Sequence, residues 1–258
     1  MLSNKVFLKF VSLIAFFAVL IVNALANILP INGIPTGAVS DAYPNLFAPA
    51  GVTFSIWGVI YLAVFGYVVY QFFPKPAATE KTLAKINEFF ILSSVANCLW
   101  LFSWHYQLIG LSVVLMLVLL YSLGRISTIS NGASLTLRDK LFIKIPFGLY
   151  FGWITIATIA NITTFLVSIG WKNFLLPDET WMILVLLIGA AIASWATVNT
   201  RNLAYGLVPI WAYYGIYLKH TSPLAFNNTY PAVITTAIVC IFIFIAVNGW
   251  LIATKKSL

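Results

Sequence analysis

Two carboxamides and three indoles stand at telling positions inside long apolar runs of this chain. Asn97 and Trp100 are three residues apart, and Trp153, Ala157 and Asn161 follow one another in four-residue steps. On a helix, such spacings bring side chains onto one face. Trp57 lies in an earlier run. An indole offers a broad apolar surface and one N–H donor, and a carboxamide offers donors and an acceptor without a charge. Together they suit the stacking of a planar apolar molecule and hydrogen bonding to its polar edge, the make-up of most small-molecule pockets. Ala157, between Trp153 and Asn161, leaves room for such a molecule. The same residues also suit plain packing, because an amide bonded between membrane helices contributes about 1 kcal/mol or less. Spacing alone leaves both readings open.

Conventional catalysis lacks its groups. Ionisable residues inside a bilayer mark ion paths and reactive sites, yet the apolar runs are almost empty of them. Glu88 and His105 lie toward opposite ends of one run, neither at mid-depth. There is no mid-helix Lys near the carboxyl end for a Schiff base, no acid–histidine chain for proton pumping and no H-E-x-x-H motif. No Gly-rich phosphate loop followed by Lys is present either. Cys98 and Cys240 fall inside apolar runs and read as small hydrophobes rather than a disulfide framework or metal site. The expectation is a non-enzyme without cofactor or metal.

The elements that must position the amides and indoles are membrane helices. Hydrophobic residues make up 62% of the chain and charged residues 8%, against about 45–50% and about 25% in soluble domains. The apolar runs predict an all-α integral membrane protein of about eight transmembrane helices, at roughly 6–29, 50–73, 87–106, 108–126, 142–168, 180–199, 202–219 and 231–254, each near the bilayer-spanning length of about 20 residues. Twelve of the fourteen Lys and Arg, all but Lys172 and Lys219, fall at the start of the first run, after the last, or in or at the edges of every second gap. That is the positive-inside pattern, and it places both termini in the cytoplasm. The charge of +8 therefore reports topology and contact with anionic headgroups, and no nucleic-acid partner is expected.

The first run, with Lys5, Lys9 and Ala24-Leu25-Ala26, resembles a signal peptide; its length favours a retained helix. The outer segment from Leu29 to Gly51 is rich in turn formers but keeps Ile31, Ile34, Val39, Tyr43, Leu46 and Phe47, so it is expected to fold over the helix ends as a lid. Trp104, Trp171 and Trp181 flank outer loops and read as an interfacial belt.

The motifs resemble those of the translocator protein family, called TspO or tryptophan-rich sensory protein in bacteria. The carriers are Pro49-Ala50-Gly51 followed by Phe54, Trp57 and Tyr61 on the second helix, Asn97-Cys98-Leu99-Trp100 on the third, and Tyr150-Phe151-Gly152-Trp153 with Ala157 and Asn161 on the fifth. The Arg-bearing end of the family's fifth helix is absent. The resemblance implies a five-helix core over 1–170, with 30–50 as its lid, and three additional helices over 171–258. It implies a binding or sensory protein, with Trp57, Tyr61, Asn97, Trp100, Tyr150, Trp153, Ala157 and Asn161 lining an intramembrane pocket. The implied ligand is a tetrapyrrole, porphyrin or haem-like, or a sterol-like lipid. The expected setting is a bacterial cytoplasmic membrane, with the lipid bilayer and a hydrophobic small molecule as partners and a homodimer as the possible assembly. The alternative is an eight-helix secondary transporter or permease for a small apolar or amphipathic solute. The three added helices, interruptions near Pro209 and Pro223, and a faint inverted echo between the third–fourth and sixth–seventh helices support that alternative.

Overall fold

Apolar runs of this length leave the backbone one economical solution in lipid, which is to satisfy its hydrogen bonds within helices. The computed structural model describes residues 2–29 and 31–254, and all their regular structure is helical. Pro30 of the outer segment, and Lys255 and Lys256 of the basic pattern, lie outside the described residues. In chain order the helices are α1 (Leu2–Ile28), α2 (Thr36–Asp41), α3 (Ile56–Tyr70), α4 (Ala77–His105), α5 (Ile109–Asn131), α6 (Leu137–Asp139), α7 (Ile145–Ser168), α8 (Asp178–Thr200), α9 (Leu203–Thr221) and α10 (Pro231–Ala253). Among the described residues, seven segments are long and apolar enough to cross a membrane. The protein is thus a multi-pass all-α membrane protein. The remaining long helix, α9, is too rich in Tyr, Gly, Lys and His to stand among the seven; it is packed instead against α7, α8 and α10.

α4 begins at Ala77, ten residues before the apolarity of its run suggests. The added turns carry Glu80, Lys81 and Lys85, which form helix readily but are not apolar. α6, a π-helical turn over Lys140–Lys144 and α7 form one rod, Leu137–Ser168. The wide turn immediately precedes Pro146, which cannot donate to the carbonyl of Phe142 and whose ring crowds it.

α7 is the hub. It packs against α3, α5, α8 and α9, while α1 packs on α3 and α4, and α10 on α8 and α9. Small residues permit the α7–α9 approach. Pro209 leaves the carbonyl of Tyr205 without its helical donor, and Gly152 lies against that oxygen: a Cβ there would stand 2.8 Å from it and 2.9 Å from Val208 Cβ. Beside this contact, Tyr205 Oη donates to Thr155 Oγ1 at 2.9 Å and Asn202 Nδ2 donates to the carbonyl of Lys144 at 2.7 Å.

One end of the bundle is tied by polar contacts. Lys9 pairs with Glu80 at 2.9 Å, Tyr70 donates to Asp139 at 2.8 Å, and Asn87 donates to Gln71 at 2.8 Å. Asn248 Nδ2 donates to the carbonyl of Gly206 at 3.0 Å. These bonds put the start of α1 and the end of α10 at the same end of the bundle as the basic gaps. The outward faces are apolar, as with Ile14, Ile21, Phe242 and Ile245, consistent with lipid as their solvent.

Candidate functional site

The motif residues come together between α3, α4 and α7 in two linked groups. In the first, Trp57 stacks on Tyr61 with ring centroids 5.3 Å apart and planes 22° apart. It meets the edges of Tyr150 at 5.7 Å and Trp153 at 6.2 Å, and Phe54 meets Trp153 at 5.8 Å. Asn97 Nδ2 donates to Tyr150 Oη at 3.2 Å. In the second group, Trp100 Nε1 donates to Asn161 Oδ1 at 2.8 Å, and Asn161 Nδ2 donates to Ser112 Oγ on α5 at 2.9 Å. Tyr150, Trp153, Asn97 and Asn161 are buried, while Trp57, Tyr61, Trp100 and Ala157 are half-buried.

All eight residues therefore lie on the three helices expected, and no ionised side chain stands among them. The aromatic rings stack on or meet one another edge-on, with centroids 5.3 to 6.2 Å apart. The oxygen Tyr61 Oη is buried and has no hydrogen-bond partner among the described residues.

Sequence reasoning missed several contributors. Asn23 on α1 donates to Asn97 Oδ1 at 3.1 Å, bringing a fifth helix into the network; an Asn five residues from a helix end reads as a boundary residue. Trp104 does not face headgroups. It is buried, stacks on Trp100 at 5.6 Å and donates to the carbonyl of Thr36 at 3.1 Å, because the outer segment covers it.

That segment folds as a 3-10 turn, Ile31–Gly33, then α2, then an Asn45 turn in which Asn45 Oδ1 accepts from the backbone N–H of Phe47 and of Ala48. It buries Val39, Phe47 and Ala48. On the α4 side, His105 bonds through one ring nitrogen to Thr36 Oγ1 at 3.0 Å and through the other to the carbonyl of Ile31 at 3.1 Å. On the α9 side, His220 Nε2 meets the carbonyl of Leu46 at 2.9 Å, Trp211 Nε1 donates to the carbonyl of Thr53 at 2.9 Å, and Lys219 faces Asp41 at 3.6 Å. The segment is a strap across the outer end of both helix groups.

A cavity of about 240 Å³ opens beneath the strap, between the outer ends of α7 and α8 and the loop joining α9 to α10. None of the eight motif residues lines it. Trp171 and Trp181, expected at the headgroup belt, are among its walls.

The family described as TSPO-like protein matches residues 9–250. The chain belongs to the TSPO-like family. The match runs on through α8, α9 and most of α10, so the last three helices lie within the family's region. No curated protein and no solved structure matches the chain.

Proposed function

We propose that this TSPO-like protein binds a planar, apolar small molecule within its helix bundle, a tetrapyrrole such as a porphyrin or a sterol-like lipid, as a binding or sensory protein rather than a catalyst. The observation that carries the reading is the meeting of Trp57, Tyr61, Tyr150 and Trp153 around Asn97, without a charge among them. Flat rings gain most from offset or edge-on contact with other rings, and an uncharged site imposes no desolvation cost on an apolar guest. Tyr61 Oη, buried and without a hydrogen-bond partner among the described residues, is available to the polar edge of a ligand. Because the rings stack on or meet one another in this state, entry requires Trp57 and Tyr61, which are half-buried, to part from Trp153 and Tyr150. The same family resemblance makes a bacterial cytoplasmic membrane the proposed setting.

The test is protoporphyrin titration of the purified protein, followed by quenching of tryptophan fluorescence. Trp153→Phe combined with Ala157→Leu shrinks the stacking surface and fills the gap beside it, and is expected to weaken binding about tenfold, the effect of roughly 1.4 kcal/mol. Quenching that saturates at the same concentration in this variant would sink the reading.

A further inference from the structure

The cavity under the strap differs in chemistry from the motif cluster. Five aromatic rings contribute to its wall: Phe47 from the strap, Trp171 and Trp181 at the outer ends of α7 and α8, and Phe226 and Tyr230 from the loop before α10. Asp178 is the only charged residue lining it, and no Lys, Arg or His does so. The rings are braced. Phe174 packs edge-on to Trp171 at 4.7 Å and to Trp181 at 5.9 Å. His220 packs against Phe226 at 4.6 Å and Tyr230 at 5.8 Å. Asp178 is held too: it stands in the first turn of α8, and Asn173 Nδ2 donates to its Oδ1 at 2.5 Å. No ion pair involves it among the described residues, whereas the nearby Asp41 is paired with Lys219.

Aromatic faces carry negative potential, and several of them around one space attract a cation, most strongly when it is poorly hydrated. A carboxylate at the rim adds attraction for positive charge and penalises anions. We propose that this cavity is a second binding site, open to the outer side, for an organic cation with an apolar body, of the quaternary or aryl-ammonium class. A metal ion or a primary ammonium would lose more hydration than one carboxylate and five rings return. A neutral apolar molecule would forgo both the ring-face attraction and the carboxylate. The proposal does not depend on what binds at the motif cluster.

Benzyltrimethylammonium is the probe, titrated calorimetrically into the full-length protein in a maltoside micelle, since a phosphocholine detergent would present the same headgroup. Its uncharged isostere neopentylbenzene serves as competitor. Saturable binding is expected; Asp178→Asn, which keeps the oxygen that accepts from Asn173, should weaken it about fivefold, and Trp181→Leu about tenfold. Trp153→Phe with Ala157→Leu should leave it unchanged, which separates this site from the motif cluster. Absence of saturable binding to the unsubstituted protein overturns the proposal. So does competition by neopentylbenzene at equal concentration, or affinity that both cavity variants retain, or affinity that only the motif variant loses.

Discussion

Asn161 satisfies two helices with one side chain, accepting from Trp100 and donating to Ser112. Replacing it with Leu leaves the indole N–H of half-buried Trp100 without its acceptor, which costs up to about 1–3 kcal/mol. We expect a matching loss of stability in denaturant unfolding, whereas Trp100→Phe in the same background should recover part of it, because the orphaned donor is gone. An unchanged midpoint for Asn161→Leu would show that the bond contributes nothing. His105 is a different case. Its ring holds two points of the strap, so His105→Ala should raise hydrogen exchange over 31–41 with little effect on the α7–α9 seam. The Asn97 and Trp100 spacing was readable from the chain, but the partners of His105 were not. They lie 69 and 74 residues away, and no local pattern encodes a contact made by a loop with irregular backbone.

At the scale of elements, the α7–α9 crossing sets the architecture. Gly152→Ala puts a methyl group against backbone and the branched Val208, neither of which can swing aside. Overpacking of that kind costs about 1–3 kcal/mol. Gly58 on α3 is the control: nothing lies within 4 Å of a Cβ there, so Gly58→Ala should be neutral or stabilising by up to about 1 kcal/mol. Thermal unfolding of both variants in one detergent checks the contrast, and equal shifts would refute it. Helix existence was legible from hydropathy because lipid demands long apolar runs. The start of α4 was not, because a helix that leaves the bilayer no longer needs apolar residues. The π-helical turn was not legible either, although Pro146 marks its cause.

For the whole molecule, the seven apolar segments and α9 differ in how they can enter a membrane. α10 has a mean hydropathy of 2.4 over its most apolar window, while α9 buries Tyr205, Tyr213, Gly206 and Gly215 against its neighbours. Placed singly in a host protein, Pro231–Ala253 should integrate efficiently and Leu203–Thr221 poorly, read by glycosylation of flanking acceptor sites. Efficient integration of both would mean that α9 needs no protein partner. A reporter fused after Leu258 should report cytoplasm, because α9 makes the number of crossings even. The charge pattern predicts that topology, since lysines and arginines in short gaps respond to the membrane rather than to the fold.

The bond from His220 to Leu46 joins residues 174 positions apart. A ribosome making this chain has therefore emitted nearly all of it before the outer strap can be fastened at both ends. Until then the strap hangs from α4 alone, and the roof over the aromatic chamber is open. Nascent chains stalled before residue 220 should consequently be cut by protease within the strap, and completed chains should resist it.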